Sequence, residues 1–206
     1  VTRNFTKGIT SVNALSRVCG ADVFPVDIGV AEELHCDGII SRKIVAGTRN
    51  FAHEPAMTRE QAERAILTGI ALVGEKVAAG YNLIITGEMG IGNTTTSRAV
   101  AAVFSVLQQL PPEQVTGRGA GLSGAGLRHK VEVIEKAIAL HQPDRNDVLD
   151  VLSKVGGLDI CGMAGAFLGG AVYHVPVLTD GFISAVAANC AVRLVPLCRQ
   201  YLFASH

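Results

Sequence analysis

Tryptophan is absent from this 206-residue chain, and aromatic residues make up only 5% of it. Proteins that grip single-stranded nucleic acid stack bases on aromatic side chains, and this sequence offers no such platform. It also lacks an excess of either charge: Lys plus Arg and Asp plus Glu both number 18. Without a basic balance, neither a nucleic acid nor an anionic membrane surface is an expected partner. No apolar run approaches the roughly 18 residues of a membrane span. The five cysteines (Cys19, Cys36, Cys161, Cys190 and Cys198) include no CxxC pair. Their odd number and scattered spacing point to reduced thiols in a cytoplasm, not to a disulfide framework or a zinc site. No metal site and no cofactor are expected. The first residue is Val1, so the chain is expected to be a fragment or a trimmed form.

Hydrophobic residues are plentiful, at 49%, and the chain holds 23 glycines. One sizeable domain with its own core follows from that composition and length, and residues 1–206 are read as a single α/β unit. The organising stretch is Asn82 to Thr96, NLIITGEMGIGNTTT. Leu83-Ile84-Ile85 reads as a buried strand, Thr86 to Gly92 as a glycine-rich turn, and Asn93-Thr94-Thr95-Thr96 as the capped start of a helix. Unpaired amides and the helix dipole make such a start suited to an anion. Glycine there lets the backbone approach a ligand. The stretch nearly spells a P-loop, but Asn93-Thr94 stands where that motif needs Lys followed by Ser or Thr, and Glu88 lies within it. A monoanionic or singly phosphorylated ligand, with Glu88 toward a sugar or a cationic ring, fits better than a nucleoside triphosphate.

Apolar spacing predicts a helix over 2–19, ended by Gly20, and a strand over 23–26 whose carboxyl end carries Asp27, read either as a site residue or as a turn aspartate. Residues 31–56 are polar and irregular, with Ile39-Ile40 and 43–45 as short strands and a basic character from Arg42, Lys43, Arg49 and His53. Thr58-Arg59-Glu60-Gln61 is a capping box opening a helix to about Ala78. Helices follow over 94–107, through Lys130 and Ala137, over 146–155 and 160–172, and over 183–197. Strands are expected over 175–179 and 201–204. A second glycine cluster, Gly117-Arg118-Gly119, and Lys130 could bring the positive charge that the first loop lacks. Asp180-Gly181 closes another strand at its carboxyl end, where ligands gather in such sheets. Helices alternating with short strands imply a mostly parallel sheet covered on both faces.

The segments Ala56 to Ala62, Gly87 to Thr95, Gly117-Arg118-Gly119, Lys154 to Gly157, Leu178 to Ile183 and Tyr201 to His206 together resemble the nicotinate-nucleotide–dimethylbenzimidazole phosphoribosyltransferase family, in collinear order over the whole chain. The resemblance implies a Rossmann-like parallel sheet with a small domain built from the chain ends, in a homodimer. It implies transfer of phosphoribose from nicotinate mononucleotide to 5,6-dimethylbenzimidazole, giving α-ribazole phosphate and nicotinate in cobalamin assembly, without a metal. It places Glu88 among the active-site acids, with Gly90, Ile91, Gly92, Asn93 and Thr94 near the substrate and Gly117, Gly119, Lys130 and Asp180 as further binding candidates. Family members also carry a Leu-Gly-Glu-Gly-Thr-Gly type segment whose glutamate is the principal base, and an N-terminal stretch that helps to form the acceptor pocket. Neither is found in these residues, so the small domain is expected to be largely missing. Two rival expectations follow: a catalytically silent core that binds substrate or pairs with a longer subunit, and a P-loop-like NTPase. Another acceptor, adenine or a phenol, is a variant of the enzyme reading.

Overall fold

The computed structural model describes residues 2–104 and 124–205. Over these, helices alternate with short parallel strands, an α/β fold. The chain divides into two compact units, Val1–Gly47 and Thr48–His206.

In the first unit the expected single helix is two: α1, Arg3–Thr6, and α2, Ser11–Cys19. Gly8, with φ of +68°, breaks the run because only glycine enters that region without strain. Thr10 then restarts it through a reciprocal capping box with Asn13. Ile9, Val12, Leu15 and Val18 keep the predicted apolar spacing, but all four are exposed. Strands β1, Val26–Asp27, and β2, Ile40–Ser41, pair in parallel with Val26 opposite Ile40. Residues 43–45 form no strand, although the Ile44 amide donates to the Ile28 carbonyl. Asp27 is 2% exposed. It accepts from the amides of Gly29 and Val30 and lies 3.5 Å from Lys43 Nζ. Those contacts are those of a turn aspartate that also neutralises a lysine.

The second unit is built on the crossing of α3, Arg59–Ala78, with a later helix, α7, Leu158–Tyr173. The capping box at the start of α3 is formed in both directions: Gln61 N–H donates to Thr58 Oγ1 and Thr58 N–H donates to Gln61 Oε1. Ala62, Ala65, Ile66, Gly69 and Val73 are its buried stripe. Glycines on both helices bring the backbones together: a Cβ on Gly69 or on Gly165 would lie well under 3.0 Å from a carbonyl oxygen of the opposite helix, Gly162 or Ile66. Helices α4, Asn93–Val103, α5, Gly124–His141, α6, Val148–Val155, and α8, Phe182–Leu194, complete the unit. Helix α8 ends earlier than the apolar pattern predicts. Pro196 has no amide to give a helix, and Pro196–Tyr201 turns as a 3₁₀ helix that carries Cys198. Cys198 is therefore buried on this turn and not on α8. Burial pushes the thiol of Cys190 up to about 12, so it is chemically quiet.

Strands β3, Ile84–Ile85, β4, Val177–Leu178, and β5, Leu202–Phe203, form a parallel sheet in the order β3-β4-β5. The segment around β3 is not the buried strand that its apolar run suggests. It stands at the edge of the described sheet, with Leu83 44% and Ile85 58% exposed. Because β3 and β4 run in parallel, the loops that follow them emerge at the same end of the sheet, where ligands collect in α/β proteins.

Candidate functional site

Two loops meet at that end. The first, residues 86–92, leaves β3 and enters α4; the second, residues 179–181, leaves β4 and enters α8. A directional hydrogen-bond chain ties them. Thr86 Oγ1 donates to the Leu178 carbonyl at 3.0 Å and pairs with Ser184 Oγ at 2.7 Å, while Ser184 Oγ accepts from the Asp180 amide at 3.1 Å. Each hydroxyl has one proton, so Ser184 must donate to Thr86, and the order is fixed. Thr86 and Ser184 are both buried, where a satisfied network of this kind rigidifies its surroundings.

Between the loops lies an open cleft of about 330 Å³, lined by Glu88, Thr94, Arg98, Asp180, Gly181, Phe182, Ile183 and Ser184. Helices α4 and α8 both begin here, with Gly92 and Gly181 as caps and no side-chain cap on either. Their first amides are thus not taken by a capping side chain. The expectation that Asn93 and the threonines cap α4 is corrected: Asn93 is inside the helix, and Gly92 holds the cap position with φ of +86°. Only glycine suits that backbone.

Asn93 serves another purpose. It is buried, and its side-chain Nδ2 donates both to Glu88 Oε2 and to Asp159 Oδ2, the latter at 2.7 Å. Glu88 Oε2 also accepts from the Gly90 amide at 2.9 Å, which folds the loop around the carboxylate. One amide nitrogen with two hydrogens therefore bridges two acids. Asp159 reaches this point from the first turn of α7, where its Oδ1 accepts from the Ile160 amide. Gly90 is glycine for this reason: a Cβ there would collide with Asp159 Oδ2 and with Asn93 Nδ2. Gly157 is under the same constraint, a Cβ there lying 2.6 Å from Asp159 Oδ1. Sequence reading named the glycines but missed Asp159; the available signal was an acid two residues after Gly156-Gly157, at a helix start.

Burial, and then the charge of Glu88, raise the Asp159 carboxyl above the usual carboxylate range, against the lowering effect of the Asn93 bond. An acid whose folded value is raised binds its proton more tightly when folded. The stability that this group contributes is therefore greatest at low pH and falls as pH climbs from about 4 through the raised value. Thermal melting of Asp159→Asn against pH is expected to lack that fall. An unchanged pH profile would show that the buried carboxyl does not titrate this way.

Positive charge comes to the loop from a separate helix. Lys130 on α5 is 7% exposed, and its Nζ donates to Thr94 Oγ1 at 2.8 Å. A lysine thus stands at the head of α4 although Asn93, not a lysine, directly follows Gly92 in the chain. Burial, then the nearby Arg98 charge, hold the Lys130 ammonium below its ordinary value. Arg98, also on α4, was not anticipated; it lies with its guanidinium carbon 5.1 Å from the Phe182 ring centre. No acid forms an ion pair with Lys130 or Arg98 among the described residues. Of the residues expected at the site, Glu88, Thr94 and Asp180 line the cleft, Lys130 touches Thr94, and Gly90, Gly92 and Asn93 shape the loop. Ile91 is 86% exposed at its tip. Gly117 and Gly119 lie outside the described residues. No group of three or more metal-ligating side chains occurs among the described residues.

Comparison with known proteins gives this arrangement a family. A family model described as phosphoribosyltransferase matches residues 1–206. The chain is 52% identical over 206 residues to the nicotinate-nucleotide–dimethylbenzimidazole phosphoribosyltransferase of Acetivibrio thermocellus, covering 100% of this chain and 58% of that protein. Identity and coverage are the same for the protein of that name from Ruminiclostridium cellulolyticum. The crystal structure of CobT from Thermus thermophilus matches with a TM-score of 0.89 at 39% identity, over 100% of this chain and 61% of that one. The chain therefore spans 58% of the length of the first two relatives, and it belongs to this phosphoribosyltransferase family.

Proposed function

We propose that the cleft holds nicotinate mononucleotide and that the protein transfers its phosphoribosyl group to 5,6-dimethylbenzimidazole, yielding α-ribazole phosphate and nicotinate in cobalamin assembly. One observation carries this reading. Two cations with no ion-pair partner among the described residues, Arg98 in the cleft and Lys130 on its lining residue Thr94, accompany the carboxylates Glu88 and Asp180. A ligand with a phosphate at one end and a cationic pyridine ring at the other meets both kinds of charge. The relatives' names supply the nucleotide and the acceptor base.

In the proposed reaction the bond from C1′ to the pyridine nitrogen breaks and its electron pair goes to that nitrogen. The ring is already cationic, so nicotinate leaves without an acid. The benzimidazole nitrogen bonds to C1′ as the acceptor gives its N–H proton to a carboxylate. Glu88 is the candidate for that carboxylate, oriented by Asn93 and the Gly90 amide. Gly90, Ile91, Gly92, Asn93 and Thr94 form the nucleotide side, with Gly117, Gly119, Lys130 and Asp180 as further contacts. We place the reaction in the cytoplasm and the protein in a homodimer, with no cofactor; the described cysteines are all free, and no described helix is long and apolar enough to cross a membrane. The rival NTPase reading is weakened because Asn93 occupies the P-loop lysine position and its amide is committed to two carboxylates.

Calorimetric titration with nicotinate mononucleotide is the test. Lys130→Met removes a cation from the head of α4 and is expected to weaken binding by about 10-fold to 100-fold, the equivalent of one charged hydrogen bond. Equal binding by the variant would remove Lys130 from the phosphate side, and a wild-type chain that ignores the mononucleotide would end the proposal.

A further inference from the structure

Arg98 is the one cleft residue whose needs the described structure leaves unmet. Its Nε and Nη1 are buried and find no hydrogen-bond partner among the described residues. A guanidinium remains protonated in proteins, and an unpaired buried charge is costly. Its burial lowers its proton affinity, and the Lys130 ammonium adds repulsion instead of relief. Native structures leave few such groups orphaned, so each one calls for a functional explanation. Arg98 lines the cleft, and its guanidinium lies beside the flat ring of Phe182 at 5.1 Å. Lys130 already marks the head of α4 through Thr94. The remaining anion site therefore pairs a planar cation with an aromatic face.

We propose that Arg98 receives the carboxylate of the substrate's pyridine ring, with Phe182 against the ring, so that Arg98 selects the acid form of the mononucleotide over its amide. Planar guanidinium and carboxylate match in shape as well as charge, and an aromatic acid offers both surfaces at once. A carboxamide of the same size brings no charge and presents an N–H group to a donor. The inference rests on the nucleotide reading above and adds to it which end of the ligand meets which cation.

The test compares nicotinate mononucleotide with nicotinamide mononucleotide, which share ribose and phosphate and differ only in that group. Dissociation constants are measured by calorimetry for wild type, Arg98→Met and Arg98→Lys. Wild type is expected to prefer the acid by about 10-fold or more. Arg98→Met should lose that preference through weaker acid binding, with amide binding unchanged. Arg98→Lys, which keeps the charge and protects against loss of fold, should keep part of it. Equal loss for both nucleotides in Arg98→Met would put Arg98 on the phosphate and overturn the proposal, as would an undiminished preference. If wild type binds neither nucleotide, the nucleotide reading itself falls and takes this inference with it.

Discussion

Gly69→Ala is expected to unfold the second unit under conditions in which the wild-type chain is folded. Helices α3 and α7 form the most extensive contact in the described structure, and at their crossing the added methyl would overlap the carbonyl oxygen of Gly162. A flexible side chain could turn away from a methyl group, but a helix carbonyl moves only with its helix. Separating the helices would loosen Ala62, Ala65, Ile66 and Val73 from their packing, in a core that also holds Ile160, Cys161, Ala164 and Phe167. Overpacking costs about 1–3 kcal/mol where side chains can adjust, so about 3 kcal/mol or more is expected here. That is a large part of the roughly 5–15 kcal/mol that holds a domain folded. Gly80→Ala is the useful control. Nothing lies within 4 Å of a Cβ there, but φ is +97°, so strain alone should cost about 1–2 kcal/mol. Urea unfolding of both variants measures the difference, and a Gly69→Ala midpoint equal to that of wild type would show that the two helices are not so tightly seated.

Gly90→Ala should leave the fold largely standing and remove ligand binding. The methyl would meet Asp159 Oδ2 and Asn93 Nδ2. To make room, the bridge from Glu88 through Asn93 to Asp159 must open, since each acid is held by its own amide contacts. Hydrogen bonds to charged groups are worth about 1.5–3 kcal/mol each. Losing one or two of them would displace Glu88 and weaken nicotinate mononucleotide binding by about 100-fold or more. The thermal midpoint should move much less than in Gly69→Ala, because the loop sits at the rim of the unit and not in its core. Binding within a few-fold of wild type would mean that the bridge is not what shapes the loop.

These two glycines also show how far sequence alone could be read. Helix α3 was legible from one end to the other, because Thr58 to Gln61 is a local signal and the stripe from Ala62 to Val73 has helical spacing. The turn after β3 was legible as a strand-to-helix junction. Its reason was not. Gly90 was expected to give room to a ligand, and the fold shows that it also gives room to Asp159, 69 residues further along the chain. No local pattern announces a partner at that separation. Arg98 was passed over for a related reason: an arginine in a helix is usually a solvated one, and only the fold turns its nitrogens inward. Lys130 was named, yet its contact with Thr94 depends on how α5 crosses α4. The break at Gly8 and the early end of α8 at Pro196 were local signals overridden in reading by apolar spacing that continues across both.

The most direct test of the account is a turnover assay on these 206 residues. Nicotinate mononucleotide and 5,6-dimethylbenzimidazole are incubated with the chain, and nicotinate and α-ribazole phosphate are followed by chromatography. The account predicts that both appear in equal amounts and that Glu88→Gln slows their formation by about 100-fold or more, the scale of losing a positioned base. Binding of the mononucleotide without any release of nicotinate would contradict it, and would make this chain a substrate-binding core instead of an enzyme.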